Sequence, residues 1–480
     1  MDYSRGIVIR SFLWKLLERV SVQGLSLCIT LVIARILDPQ DYGIVALIVV
    51  FTGFATVIID GGLNTALIQK KNADNVDFST IFFGSIGLAF FLYAILYLSA
   101  PLIASFYNNE SISYIIRVFS VIIIFEAANA VQRAYVAKHM LFKKLFNSSL
   151  VALVASGAWG IYLAINNHGV WALVFQSLSN AIINTIVMWF TIKWRPDWIF
   201  SFSRFKSLFN YGWKIFAINM MVSLYQNLRS LIIGKVYSPA SLAFFERGHT
   251  LSGMVVTNIN TSMQTVIFPV FSYAQDDPEK VKKLVRRSVV LSCTFIIPAL
   301  MGLCLVAKPL IILILTEKWL PAVPFVQIFS VAYMLFPMQV ASMEAVKAMG
   351  YSGFSFKYEV FKHLIETGIL IVAVYIGIYA MAISVIFFNA FCLLINIYPN
   401  IRFLNYNIKE QINDIFMPFV LSFVMGIVIY WIQFLPIHNF WVILLQIITG
   451  IAIYFLLCEV TKMEGYVYVK SMVLIKFLNK

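Results

Sequence analysis

Apolar runs of about 18 to 26 residues recur along this chain, each divided from the next by a short polar connector, and fourteen such runs are present. They begin near Phe12, Tyr42, Ser79, Ile112, Asn147, Gly169, Tyr211, Gly248, Ser288, Val323, His363, Tyr379, Phe416 and Phe440. About 20 apolar residues in a helix span the roughly 30 Å of bilayer hydrocarbon. The pattern therefore predicts an all-α, polytopic membrane protein with about fourteen transmembrane helices. Tight turns are expected at Asn166 to Gly169 and at Gly377 to Tyr379, where neighbouring runs nearly touch. Between the sixth and seventh runs, the stretch 201–210 sets Phe202, Phe205, Leu208 and Phe209 against Arg204 and Lys206, with Trp194 and Trp198 before it. That amphipathic pattern predicts an interfacial linker helix.

The runs also repeat. The segment Leu31-Val32-Ile33-Ala34-Arg35-Ile36-Leu37-Asp38-Pro39 aligns at an offset of 200 with Leu231-Ile232-Ile233-Gly234-Lys235-Val236-Tyr237-Ser238-Pro239. Further on, Phe119-Ser120-Val121 aligns with Phe329-Ser330-Val331 at an offset of 210. The organisation read from this is two six-helix pseudo-repeats plus a C-terminal helix pair. In residue numbers, an N-terminal six-helix bundle covers 1–195, a linker helix 196–210, a second six-helix bundle 211–405, and the last two helices with a tail 406–480. Six is even, so both bundles share one orientation, and a substrate cavity is expected between them.

Polar residues follow the repeat. Arg19, Gln23, Ser26 and Thr30 recur at helical spacing on the first span, and Asn219, Ser223, Gln226 and Ser230 stand at the same places plus 200 on the seventh. Asp60 and Asn64 pair in the same way with Asn260 and Gln264, and Asn129 pairs with Gln339 at the later offset of 210. Polar groups in hydrocarbon mark a shared inner face or bond helices to one another, and the spacing alone leaves both readings open.

Charge sharpens the topology. Hydrophobic residues make up 61% of the 480 and charged residues 12%, against about 25% charged in soluble domains. A soluble enzyme is excluded. The net charge of +14 suggests a nucleic-acid partner until the positions are examined. Arg35, Lys235, Arg247, Lys308 and Lys318 fall on outer segments, Arg19, Arg117 and Arg229 fall within spans, and every other Lys and Arg falls on inner ones. This distribution places both termini in the cytoplasm and accounts for the charge without nucleic acid. The outer loops are short, the longest being 307–324, and no nucleotide-binding loop, catalytic triad or pair of catalytic carboxylates stands in a suitable setting. The chain reads as a transporter, not an enzyme, with no cofactor. Its energy is then expected from an H+ or Na+ gradient or from consumption of product. Cys28, Cys293, Cys304, Cys392 and Cys458 lie in apolar runs without metal-ligand or redox spacing, so no metal site is expected.

Ionised residues within spans are the candidate chemistry, because a charge in hydrocarbon needs a partner or a watery cavity. Glu18, Asp60, Glu126 and Glu344 are candidates for structural pairing or for ion coupling; Glu126, Asn129 and Arg133 share one helical face, and Glu18 adjoins Arg19. Arg19 and Arg229 lie on corresponding repeat elements and suit an anionic substrate, since guanidinium holds phosphate oxygens bidentately. With Gln23, Asn219 and Gln226 they form the candidate substrate-binding set in the expected central cavity.

Three segments resemble the polysaccharide-exporter family of the multidrug/oligosaccharidyl-lipid/polysaccharide superfamily, which includes the O-antigen and colanic-acid repeat-unit flippases. They are Ala34-Arg35-Ile36-Leu37-Asp38-Pro39-Gln40-Asp41-Tyr42-Gly43, Asp60-Gly61-Gly62-Leu63-Asn64-Thr65-Ala66-Leu67-Ile68-Gln69 and Thr316-Glu317-Lys318-Trp319-Leu320-Pro321-Ala322. The family usually carries Gly where Asp38 and Thr316 stand here. The resemblance implies a bacterial inner-membrane flippase that moves an undecaprenyl-pyrophosphate-linked oligosaccharide outward by alternating access, with cationic cavity residues on the pyrophosphate. It implies membrane lipids, and the polysaccharide polymerase and chain-length machinery, as partners. An ion-coupled multidrug or organic-cation antiporter of the same superfamily is the alternative, kept open by Asp60 and Glu126.

Overall fold

The chain is described here from a computed structural model over residues 5–70, 72–273 and 277–478, with side chains described outside 5–13, 16, 258–270, 272–273, 278, 352, 356 and 472–478. The side chains of Asn260 and Gln264, the expected repeat partners of Asp60 and Asn64, lie outside the described ones.

The described residues form α-helices joined by short turns. In order they are α1 (Arg5–Ile36), α2 (Pro39–Asp60), α3 (Leu63–Gln69), α4 (Asn75–Phe106), α5 (Ser111–Phe119), α6 (Ile122–Lys138), α7 (Phe142–Ile165), α8 (Val170–Thr191) and α9 (Phe202–Val236). Then follow α10 (Pro239–Tyr273), α11 (Pro278–Leu315), a 3-10 turn (Glu317–Ala322), α12 (Val323–Met334), α13 (Phe336–Ala348), α14 (Ser352–Ile376), α15 (Ile378–Leu404), α16 (Ile408–Ile432), α17 (Asn439–Val460) and α18 (Glu464–Leu478). Taking α2 with α3, α5 with α6 and α12 with α13 as broken single spans, fourteen long segments precede α18, one for each apolar run. A helix is the natural state for each, because in lipid every backbone N–H and C=O must be satisfied within the segment.

The breaks have local causes. Gly61 and Gly62 end α2 with φ of 47° and 68°, left-handed values that suit glycine. Pro337 lacks the N–H that would have continued α12 into α13. The expected tight turns are present: Asn167 and Gly169 take φ of 59° and 54° between α7 and α8, and Gly377 takes 145° between α14 and α15. The stretch 201–210 forms the first turns of α9 rather than a separate helix. No proline interrupts the 35 residues from Phe202 to Val236.

Among the described residues, eleven segments are long and apolar enough to cross a membrane by composition. Among the others, α9 falls short because Asn219, Gln226 and Arg229 stand among its apolar residues, and α14 because Lys357, Glu359, Lys362 and Glu366 do.

Two compact units divide the chain, Met1–Ala243 and Phe244–Lys480. In the first, α7 packs against both α1 and α8, and α9 packs against α2, α3 and α4. Thus the helix that opens the second repeat in sequence folds into the first unit. Backbone contact explains this: a Cβ on Gly62 would lie 2.3 Å from the Gly212 carbonyl oxygen, so α3 and α9 approach without side chains between them. In the second unit α11 is central and packs against α12, α13, α16, α17 and α18. Its buried face, including Val285, Val289, Cys293, Ile296 and Leu300, joins Met334 and Met338 in one core.

Candidate functional site

The two polar stripes lie on α1 and α9, both in the first unit. On α1, Arg19 is exposed and Gln23 half-buried; on α9, Asn219 and Gln226 are exposed and Arg229 is 8% exposed. The stripes rest on different supports, since α1 packs on α7 while α9 packs on α2, α3 and α4. Arg229 is buried and engaged by neighbouring groups, as a charge at that depth must be.

The acidic candidates all have short-range partners. Glu18 pairs with Lys15 at 2.7 Å rather than with its neighbour Arg19. Asp60 accepts from the Asn64 side-chain amide across the Gly61-Gly62 break. Glu126 pairs with Arg133 at 2.9 Å, two turns along α6, and Glu344 pairs with Lys347 at 3.2 Å. Of the repeat pair Asn129 and Gln339, Gln339 donates to the Asn389 carbonyl at 3.1 Å. Asn129 is fully buried, as is Gln132 one turn on, and neither side-chain amide has a hydrogen-bond partner among the described residues.

Two ion-pair clusters escaped the sequence reading because their basic members counted only as topology charges and their acidic members lie outside the spans. At the start of α4, Asp74 and Asp77 form a reciprocal cap, with the Asp77 N–H donating to Asp74 at 2.9 Å and the Asp74 N–H to Asp77 at 3.2 Å. The Asp77 side chain is fully buried and takes Lys70 at 2.6 Å and Arg204 of α9 at 3.1 Å; Arg204 also reaches Asp74 at 2.7 Å. The Asp77 N–H and the Arg204 guanidinium hold the Asp74 carboxyl below the usual carboxylate range. The linker is tied to the same helix end: the Trp194 indole donates to Asn75 at 2.6 Å, and the Asp197 N–H to Ser79 at 2.9 Å.

In the second unit, Arg286 of α11 meets Asp414 of α16 at 2.8 Å and Glu464 of α18 at 2.9 Å, and Lys282 meets Glu410 at 2.8 Å. The buried Tyr406 hydroxyl donates to Asp414 at 2.6 Å. The signal in the sequence was the repeat itself. Asp77 and Arg204 are 127 residues apart, Arg286 and Asp414 are 128, with the signs exchanged.

An apolar groove of about 440 Å³ runs along the second unit. Phe295, Pro298 and Gly302 of α11 face Ile447, Gly450 and Ile451 of α17 across it. Gln446 also lines it but turns its N–H to the Ile429 carbonyl at 3.0 Å. The groove offers packing to a long apolar chain and little hydrogen bonding to a sugar.

Repeated long helices, a polar stripe bearing arginine and an apolar groove define a polytopic membrane transport protein rather than an enzyme. The chain belongs to the polysaccharide biosynthesis protein family, which matches residues 32–324. It is 25% identical over 372 residues to the lipopolysaccharide biosynthesis protein WzxC of Escherichia coli (strain K12), covering 76% of this chain and 74% of that protein. It is 24% identical over 394 residues to the teichuronic acid biosynthesis protein TuaB of Bacillus subtilis (strain 168), covering 80% of each. Among solved structures, the lipid II flippase MurJ in an inward closed conformation shares the fold, with a TM-score of 0.74 at 15% identity over 94% of this chain and 98% of that one.

Proposed function

We propose that the protein is a flippase that carries an undecaprenyl-pyrophosphate-linked oligosaccharide repeat unit across the bacterial inner membrane, from the cytoplasmic to the outer leaflet, by alternating access. The apolar groove along α11 and α17 carries this reading. A water-soluble sugar would leave its hydroxyl groups unsatisfied there, whereas several isoprene units of a polyprenyl chain would pack against such a surface. Arg19 and Arg229, with Gln23, Asn219 and Gln226, supply the complementary chemistry for the pyrophosphate and the first sugars. Membership of a polysaccharide biosynthesis family, and relatives named for lipopolysaccharide and teichuronic acid biosynthesis, support a glycan cargo. The polymerase and chain-length machinery would take up the product, and its consumption or an H+ or Na+ gradient would drive the cycle.

The Lys and Arg distribution supports cytoplasmic termini. In a cysteine-free background, cysteines at Asn109 and Asn439 are expected to react with an impermeant maleimide from outside and a cysteine at Lys143 not to; the reverse pattern refutes the orientation.

The function is tested in a deletion strain by extracting lipids. Accumulation of an undecaprenyl-pyrophosphate oligosaccharide on the cytoplasmic side, with loss of the surface polysaccharide, is the expected result. Unchanged lipids with raised sensitivity to organic cations would refute it in favour of an antiporter.

A further inference from the structure

Where α18 folds back on the start of α11, the second unit holds a pocket of about 290 Å³, at the lower limit of ligand-sized cavities. Its mouth is cationic. Lys283, Arg286 and Arg287 line it from one face of α11, and Glu464 of α18 lines it as the single carboxylate, three cations to one anion. Arg286 is neutralised by Asp414 and Glu464 at 2.8 and 2.9 Å. Lys283 and Arg287 are exposed, and among the described residues neither has a carboxylate at ion-pair distance. The Arg287 guanidinium lies over the Tyr468 ring, 3.3 Å from its centre, a contact that holds the cation without neutralising it.

The floor is apolar. Val290 and Leu291 stand one turn deeper on the same face of α11. Gly465 forms the opposing wall, and a Cβ there would lie 2.2 Å from Thr294 Oγ1 and 3.1 Å from Val290. The missing side chain lets α18 seat directly on α11, so the pocket is preformed.

We propose that this pocket binds the phosphate of an anionic lipid headgroup, with Lys283 and Arg287 on the phosphate oxygens and Val290 and Leu291 under the first carbons of the lipid chain. Guanidinium and ammonium side by side match a phosphate, and the change from charge to apolar surface over two turns matches a headgroup at the membrane boundary. The pocket is too small for an oligosaccharide. Two lipids share the required chemistry: an ordinary anionic phospholipid of the bilayer, and the polyprenyl pyrophosphate that carries the proposed cargo. The binding itself does not depend on the flippase reading; only the second identity does.

The test is native mass spectrometry of the purified full-length protein. It is titrated separately with dioleoyl phosphatidylglycerol, undecaprenyl pyrophosphate and dioleoyl phosphatidylcholine. Lys283→Gln/Arg287→Gln is expected to weaken anionic-lipid binding about tenfold or more, two charge-assisted hydrogen-bonding groups being lost, and to leave phosphatidylcholine unchanged. Lys283→Arg/Arg287→Lys keeps both charges and is expected to retain binding. Loss for phosphatidylglycerol alone identifies a membrane lipid, loss for undecaprenyl pyrophosphate alone identifies the cargo's carrier, and loss for both shows that the phosphate is read by itself. Equal binding of every lipid by wild type and the Gln variant overturns the proposal, as does a matching loss for phosphatidylcholine. The single variants Lys283→Gln and Arg287→Gln, at exposed positions, provide the same comparison if the double variant unfolds.

Discussion

Arg286 on α11 meets Asp414 on α16 at 2.8 Å across 128 residues of sequence. The pair has a counterpart of opposite sign in the other unit, where Asp77 on α4 meets Arg204 on α9 at 3.1 Å across 127 residues. In both, the third long helix of a repeat binds the helix that follows the repeat. The exchange of signs makes each closing helix complementary to its own repeat, because Arg204 set against Arg286 would bring like charges together. It also accounts for α9 belonging to the first compact unit although sequence homology pairs it with α1.

The weight of these pairs can be measured in the second unit. The Asp414 side chain is 2% exposed and also accepts from the buried Tyr406 hydroxyl. Its replacement by Ala leaves that hydroxyl without its acceptor and is expected to cost about 2 to 3 kcal/mol. Arg286→Ala costs less, since Arg286 is 40% exposed. A double-mutant cycle read by thermal unfolding in detergent should give a coupling of about 1 to 2 kcal/mol. Additive losses would show that the pair contributes nothing as a pair.

Thr316 and Asp38 are the two positions where the sequence resemblance leads one to expect glycine, and the structure separates them. Thr316 takes φ of 80° with ψ of 173°, a region that strongly favours glycine, whereas Asp38 is ordinary extended backbone at φ of −86°. Thr316→Gly is therefore expected to stabilise the fold by about 1 kcal/mol, and Asp38→Gly to destabilise it by about 0.5 kcal/mol. Unfolding midpoints of the two variants, shifted in opposite directions, would confirm the distinction; a fall in both would contradict it.

Acid should loosen the junction of α4 with α9. The Asp74 carboxyl is held below the usual carboxylate range by the Asp77 N–H and Arg204. A carboxyl depressed in the folded state contributes stability that is complete above its unfolded value and is lost as pH falls through its folded one. Unfolding midpoints should thus converge for wild type and Asp74→Asn as pH drops below the ordinary carboxylate range, and differ at neutral pH. A gap that stays constant with pH would contradict this assignment.

The candidate site is tested in cells. Arg19→Ala and Arg229→Ala are each expected to reduce export at least tenfold with unchanged protein in the membrane, if each contributes a charge-assisted hydrogen bond to phosphate of about 1.5 to 3 kcal/mol. Lys at either position should retain part of the activity. Normal export by both Ala variants would remove them from the site.

The sequence carried the fold further than the site. Fourteen helical segments were legible because an apolar run of the required length has few other uses, and the turns at Gly169 and Gly377 because glycine marks positive φ. The unit boundary was not legible: it depends on Gly62 meeting Gly212, a contact between residues 150 positions apart in the chain. The partners of the acidic candidates were partly visible, since Glu126 and Arg133 share a helical face. Glu18 is paired as the sequence allowed but with another residue, because adjacent residues on a helix point apart and Lys15, one turn back, reaches it instead of Arg19. Clusters such as Asp77 with Arg204 looked like topology charge, for a count of inner and outer residues ignores which of them meet.

The central claim is that this chain moves a lipid-linked oligosaccharide across a bilayer, and reconstitution tests it most directly. Purified protein in sealed vesicles containing undecaprenyl-pyrophosphate oligosaccharide, with an H+ or Na+ gradient imposed, is followed by the access of an external glycosidase to the glycan. Protein-dependent exposure of glycan initially protected in the lumen, lost in Arg19→Ala/Arg229→Ala, is the result expected. Exposure no faster than in protein-free vesicles, with gradient-driven movement of an organic cation through the same preparation, would contradict it.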